Sequence, residues 1–186
     1  MEKNTTVRTS IILALMLAAA FSRIIPHPAN FAPVAALGLF GSAYLYKNRL
    51  AILTPLVSMF ISDVILNNTI YSQYFTGFAL LHESWYWVYG SIILTTVLGY
   101  FTLKTVNVKT ILTSSAVASI LFFLITNFGT FLGSSMYPQN FGGLIACFAA
   151  GIPFFGGTLF GTIFYSAVLF GGFEFAKKQF PVLRFA

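Results

Sequence analysis

The chain has 186 residues, of which 58% are hydrophobic and only 8% are charged. Soluble domains contain about a quarter charged residues, so this composition excludes a soluble domain and predicts an all-α integral membrane protein. The net charge of +6 does not indicate nucleic-acid binding, because the ten basic residues stand singly or in pairs between apolar runs. The single cysteine, Cys147, excludes an internal disulfide.

Six apolar segments follow one another along the chain, and each is close to the roughly 20 residues that cross the hydrocarbon core of a bilayer. We expect a single transmembrane domain over residues 1–186, in which the first segment is a retained helix and not a cleaved signal peptide. The predicted spans are residues 8–25, 31–46, 50–66, 86–103, 110–132 and 152–175. The apolar stretch 144–150 is too short to span and is expected to lie at the interface or to re-enter.

A proline-rich turn separates the first two spans. Pro26 and Pro28 each lack a backbone N–H and restrict the preceding residue to extended geometry, so no helix continues through this stretch. We expect Asn30 to cap the second helix, with Pro33 in its first turn. The turn also carries His27.

Asp63 is the only acidic residue inside any of the first five spans. A buried carboxylate costs several kcal/mol unless it is paired. Arg23, at the end of the first span, is the basic residue that topology brings nearest, so we expect an ion pair between Arg23 and Asp63.

Charge placement predicts the orientation. With six spans, nine of the ten basic residues fall on one side and only Arg23 falls on the other. The positive-inside rule then places both termini in the cytoplasm, which predicts a multi-pass membrane protein.

Three outward segments converge in this topology: the proline-rich turn, residues 67–84 and residues 134–143. They hold amide, imidazole and aromatic side chains that suit a large, polar and partly flat small-molecule ligand. The candidate polar contacts are His27, Asn30, Asp63, His82, Tyr89, Asn127, Tyr137 and Asn140, and the candidate ring surfaces are Trp85, Trp87 and Phe141. For the tryptophans, an anchoring belt at the membrane surface is the ordinary alternative.

Five blocks carry a family resemblance: Phe21-Ser22-Arg23-Ile24-Ile25-Pro26-His27-Pro28-Ala29-Asn30-Phe31-Ala32-Pro33-Val34-Ala35-Ala36, Ser62-Asp63-Val64-Ile65-Leu66, Val88-Tyr89-Gly90, Thr126-Asn127-Phe128-Gly129 and Ile152-Pro153-Phe154-Phe155. In these blocks the chain resembles a bacterial family of small, largely uncharacterised six-helix membrane proteins. That family is in turn similar to the substrate-binding S components of energy-coupling-factor vitamin transporters, especially the solitary cobalamin-transporting members.

The resemblance implies a six-helix bundle in a bacterial inner membrane, with a substrate pocket beneath the outer loops. It also implies a docking surface for a transmembrane coupling subunit on the first helix, which Ala14 and Ala18 match as a small-xxx-small pair. The chain has no Gly-xxxx-Gly-Lys-Ser/Thr element. Energy for uptake would therefore come from a partner with its own ATPases.

The identity of the ligand stays open at this point. The solitary cobalamin members use a cysteine shortly before a tyrosine as an axial cobalt ligand, whereas no cysteine precedes Tyr89 and Cys147 lies in another segment. His82 is an alternative axial ligand to corrinoid cobalt, because a neutral imidazole suits such metals. Another vitamin, or a corrinoid without axial protein ligation, fits equally.

Two other classes of function compete with uptake. An intramembrane enzyme needs paired carboxylates, a Ser–His pair or a metal triad within reach of one another, and Asp63 has only Glu83 as an acidic neighbour. The sequence therefore predicts no catalytic residues, no directly bound metal and no cofactor. A lipid-binding or structural membrane protein is the second competitor.

Overall fold

The computed structural model describes residues 2–46 and 48–184, and within these residues it contains helices and no β-strand. Six α-helices occur there: α1 Glu2–Phe21, α2 Val34–Tyr44, α3 Leu50–Asn68, α4 Trp85–Thr102, α5 Val108–Gly133 and α6 Phe141–Gln179. Short 3-10 helices occupy Ser22–Ile24, Ser72–Tyr74 and Pro181–Leu183. The predicted all-α architecture is confirmed.

Within the part of the chain that the structure describes, four segments are long and apolar enough to cross a membrane. They are Thr5–Ile24, Leu50–Asn68, Val108–Gly133 and Phe141–Gln179. These segments support the predicted membrane character of the chain. The six spans and the cytoplasmic termini stay predictions.

The second helix begins later than the sequence predicts. Asn30 does not cap α2; it adopts a left-handed backbone with φ of 60°, inside a turn in which the amide of Phe31 donates to the carbonyl of Pro28. Asparagine tolerates this conformation in turns. The turn therefore continues through residues 31–33, and α2 begins only after Pro33. The predicted span 31–46 is accordingly wrong at its start.

The short helix α2 forms the centre of the bundle. With 11 residues it is about 16 Å long, yet it contacts all five other α-helices. Its residues 34–42 are all buried, including Leu37, Leu39 and Phe40 at 0% exposure. A helix that is apolar on every side belongs in a core. The other helices therefore shield α2 from surrounding lipid or solvent.

The predicted start of the last helix, at residue 152, is also wrong. Residues 144–150 do not form a separate segment, because α6 runs without interruption from Phe141 to Gln179 with Pro153 inside it. A proline removes one backbone hydrogen bond, which an otherwise well-packed helix tolerates. The 39 residues of α6 measure about 58 Å, roughly twice the hydrocarbon thickness of a bilayer.

Asn140 starts this helix. Its side-chain oxygen accepts a hydrogen bond of 2.9 Å from the amide of Gly143, which satisfies one of the free donors of the first turn. Asn140 is thus an N-cap, a role that the sequence analysis did not assign to it.

We expect Asn140→Ala to lower the free energy of unfolding by about 1 kcal/mol, because it removes this cap. Asn140→Ser keeps an acceptor at the N-cap and should retain most of the stability. Chemical denaturation in detergent measures both variants. Equal stability of Asn140→Ala and the wild type would contradict the capping role.

Candidate functional site

A buried ion pair joins three elements at the end of the bundle where α1 and α3 finish and α4 begins. Nη1 of Arg23 lies 2.6 Å from Oδ1 of Asp63, and the hydroxyl of Tyr89 donates to Oδ2 of Asp63 at 2.8 Å. Both carboxylate oxygens are therefore partnered. The partner that Asp63 requires is the one that the sequence suggests, and Tyr89 completes the arrangement.

Burial makes this cluster costly to disturb. The side chain of Asp63 is 5% exposed and that of Arg23 is 16% exposed. Arg23 also donates from Nη1 to the hydroxyl of Ser62 at 2.6 Å. A carboxylate and a guanidinium in such surroundings are stable only because each has hydrogen-bonded partners.

Two cavities share Arg23, Asp63 and His82. The first, which we call the bundle cavity, has a volume of about 200 Å³ and lies between the helices. It is lined by Arg23, Asn30, Ala32, Val34, Ala35, Met59, Asp63, His82, Val88, Phe122, Thr158 and Thr162. The second, the loop cavity, has a volume of about 360 Å³ and is lined by Arg23, Asp63, Leu66, Asn67, Tyr71, Tyr74, Phe75 and His82. The ion pair thus lies where the two cavities meet.

His82 faces both cavities from the segment that connects α3 to α4. Burial lowers the pKa of His82 below its ordinary value of 6.5, against an opposing effect of Asp63 and with a smaller contribution from Arg23 in the same direction. The imidazole is therefore neutral near pH 7. A neutral imidazole can donate, accept or coordinate through its ring nitrogens.

We expect the protein to lose stability as the pH falls below about 6.5, where the unfolded chain protonates His82 while the folded one resists. The stabilising contribution is complete above that pH and disappears as the pH drops through the lowered pKa. His82→Asn should flatten this part of the profile of unfolding temperature against pH. An unchanged slope in His82→Asn would show that His82 does not titrate in this way.

The structure separates the remaining predicted ligand residues from these cavities. Asn30, Asp63 and His82 line at least one cavity, and Tyr89 contacts Asp63. The others line neither: His27, Trp85, Trp87, Asn127, Tyr137, Asn140 and Phe141. Their contact with a ligand stays a prediction that the two cavities do not support.

Several of these residues have structural contacts instead. Trp85 packs edge-to-face on Tyr89 with ring centroids 5.6 Å apart, and Trp87 packs on Phe128 at 5.8 Å. The amide of Asn127 donates to the carbonyl of Phe123 within α5. Of these contacts, the one between Trp87 and Phe128 joins α4 to α5, and the other two lie within α4 and within α5.

Sequence reasoning missed most of the loop cavity. Asn67 lies in the last turn of α3, and Tyr71, Tyr74 and Phe75 lie in the polar and aromatic segment that follows it. Nothing in the sequence distinguishes these four residues from their neighbours. Thr158 and Thr162 of the bundle cavity were detectable in principle, because hydroxyl residues spaced four apart share one face of an apolar helix.

Cys147 lies away from both cavities. It is buried, and its Sγ contacts the carbonyl of Asn127 at 3.4 Å. Within residues 2–46 and 48–184, no three His, Cys, Asp or Glu side chains lie close enough together to hold a metal ion.

Ala14 and Ala18 are exposed on the outer face of α1. The opposite face of that helix is buried through Ile12, Met16 and Ala20. The pair is therefore accessible to another protein or to lipid, as a docking surface requires.

Comparison with known proteins assigns a family without assigning an activity. No curated protein and no solved structure matches the chain. The model of one family, described as "Family of unknown function (DUF6580)", matches residues 3–183. Because the match extends over nearly the whole chain, the protein belongs to the DUF6580 family.

Proposed function

We propose that the protein is a membrane-embedded substrate-binding protein that captures a vitamin-like small molecule at the outer face and delivers it inward. The observation that carries the proposal is the pair of cavities around the buried Arg23–Asp63 pair. Binding sites in helical membrane proteins place a few polar groups among apolar walls, and charged side chains at membrane depth often mark substrate pathways. Both properties occur together here.

Charge placement supports six spans with both termini in the cytoplasm of a bacterial inner membrane. The end of the bundle opposite the cavities carries Arg49, Lys104, Lys109, Lys177 and Lys178. Positive charges concentrate on the cytoplasmic side of membrane proteins. The cavity end would then face outward, where a nutrient arrives.

Uptake would depend on a partner for energy. The chain lacks a phosphate-binding loop, and the resemblance to S components suggests a transmembrane coupling subunit with attached ATPases. The exposed Ala14 and Ala18 on α1 would let a partner helix approach closely. In this proposal the helical bundle selects the substrate, and the partner provides the energy for its transport.

A corrinoid is one candidate ligand, and other vitamins stay open as well. The neutral imidazole of His82 would be the axial ligand to corrinoid cobalt, a role that Cys147 is not placed to fill. The protein itself would hold no metal or cofactor.

A lipid-binding or structural role is the second candidate. An apolar groove of about 420 Å³ on the α5–α6 hairpin favours it, and the lining residues are Phe123, Leu144, Ile145, Phe148, Ala149 and Ile152. Acyl chains fit such a groove. Catalysis has weaker support, because Asp63 is fully occupied by Arg23 and Tyr89.

Uptake by intact bacteria tests the proposal. Cells that express the protein with its genomic neighbours would receive labelled cyanocobalamin, riboflavin, biotin or thiamine in turn. We expect accumulation of one compound, unchanged in covalent structure, and its loss when Arg23 and Asp63 are both replaced by apolar residues. Conversion of the compound would favour an enzyme, and no accumulation of any compound would favour the lipid-binding role.

A further inference from the structure

An unsatisfied amide lies at the edge of the loop cavity. Asn67 is 5% exposed, and its Nδ2 has no hydrogen-bond partner within residues 2–46 and 48–184. A buried donor without a partner costs about 1–3 kcal/mol. Asn67 lines the loop cavity, and the terminal torsion of asparagine is broad, so a ligand in that cavity is a candidate partner for this donor.

Arg23 supplies further donors to the same cavity. All three of its hydrogen bonds, to Met59, Ser62 and Asp63, use Nη1. The other guanidinium nitrogens have no partner in the described chain, while Arg23 lines both cavities. The residues that line the loop cavity thus include unused donors on Asn67 and Arg23, which suit a ligand with hydrogen-bond acceptors on one edge.

Aromatic rings form another part of the wall of the loop cavity. Tyr71, Tyr74 and Phe75 line the loop cavity around the 3-10 helix Ser72–Tyr74. Tyr74 is 74% exposed and Tyr71 is 41% exposed, so their ring faces are available. Aromatic rings gain about 0.5–1.5 kcal/mol from stacking beyond the burial of area, and they select flat partners.

The charges of the cavity cancel. Arg23 is neutralised by Asp63 at 2.6 Å, and His82 is neutral near pH 7 because burial lowers its pKa. A ligand with a net charge would enter without a counter-charge, at a desolvation cost. The volume of about 360 Å³ lies at the low end of the range for small-molecule sites, which favours a compact ring system over a corrin macrocycle.

We propose that the loop cavity binds an uncharged, planar heteroaromatic ring whose edge carries a carbonyl acceptor, with Asn67 and Arg23 donating to that edge and Tyr71 and Tyr74 stacking on its faces. This inference rests on the proposed uptake function, because it names the class of molecule that is captured. Asn67 is then a binding residue whose missing partner is the ligand.

Three bicyclic probes of similar size separate charge from shape: 2-quinolone is uncharged and carries a carbonyl, N-methylquinolinium is a cation, and quinoline-2-carboxylate is an anion. Binding to the full-length protein in lipid nanodiscs is measured by equilibrium dialysis, with empty nanodiscs as the control for partitioning. We expect 2-quinolone to bind more tightly than either charged probe.

Two variants test the residues. Asn67→Leu keeps the branched shape of the side chain and removes the donor, so it should weaken 2-quinolone binding about tenfold and, in the free protein, raise the unfolding temperature. A structural asparagine would instead lower that temperature. Tyr74→Ala, at an exposed position, should also weaken binding and leave the unfolding temperature unchanged.

Tighter binding of either charged probe, or no binding of 2-quinolone to the wild type, would overturn the ligand class. Unchanged binding in Asn67→Leu and Tyr74→Ala would overturn the site. Cellular uptake of cyanocobalamin without 2-quinolone binding would refute this inference alone. Binding of 2-quinolone without uptake of any compound would refute transport and leave the inference standing.

Discussion

Asp63→Asn should lower the free energy of unfolding by about 3 kcal/mol, the lower end of the cost of breaking a buried ion pair. The substitution keeps the shape and a hydrogen-bonding oxygen, so the loss comes from leaving the Arg23 guanidinium, 16% exposed, without a counter-charge. Asp63 of α3 contacts Arg23, which follows α1, and Tyr89 of α4. Loss of the ion pair should therefore also loosen the cavity walls that these elements form. Denaturant titration in detergent, followed by tryptophan fluorescence, measures the change.

Two controls isolate the charge effect. The double variant Arg23→Met/Asp63→Leu removes both charges and should recover most of the stability, because apolar replacement of a buried pair is often neutral. Glu83→Gln alters an exposed carboxylate in the neighbouring loop and should change the unfolding free energy by less than about 0.5 kcal/mol. A wild-type stability for Asp63→Asn would show that the pair does not hold the site together.

Gly157→Ala should lower the free energy of unfolding by about 1–3 kcal/mol, although alanine normally favours a helix. A β-carbon at Gly157 would overlap the carbonyl oxygen of Ala29. Ala29 belongs to the proline-rich turn, which three prolines make stiff. The turn and α6 would have to separate, which would displace Asn30 and Thr158 from the walls of the bundle cavity.

The adjacent Gly156 provides a matched control. A β-carbon at Gly156 would meet no atom within 4 Å, so Gly156→Ala should be neutral or stabilising by up to about 1 kcal/mol. Thermal unfolding of both variants in the same detergent measures the difference. Equal unfolding temperatures for the two variants would contradict the close contact between α6 and the turn.

Prediction from sequence works best for this protein where a buried polar or charged residue has few possible partners. Asp63 is an isolated acid in an apolar helix, and Arg23 is the only basic residue expected at that end of the bundle. The pairing follows from the high cost of an unpaired charge. His82 and Asn30, which the sequence predicts from the convergence of connecting segments, also line cavities that adjoin the pair.

Prediction fails where packing outweighs local signals. Asn30 looks like a helix cap, but the hydrogen bond between Phe31 and Pro28 places it in a left-handed turn. The sequence does not predict the start of α6 at Phe141. Its cap, Asn140, precedes the apolar stretch 144–150, which is too short by itself to span a membrane. The unused donors of Asn67 and Arg23 at the loop cavity depend on three-dimensional hydrogen bonding and have no signature in sequence.

Ligand-induced thermal stabilisation of the purified protein is the most direct test of small-molecule capture. A ligand that binds only the folded state raises stability by RT ln(1 + [L]/Kd). With a panel of vitamins and corrinoids, we expect a selective rise in unfolding temperature that depends on compound concentration and weakens in Asn67→Leu. A rise with cyanocobalamin that disappears in His82→Ala would identify a corrinoid. No rise with any compound would contradict the account and favour a lipid-binding or structural role.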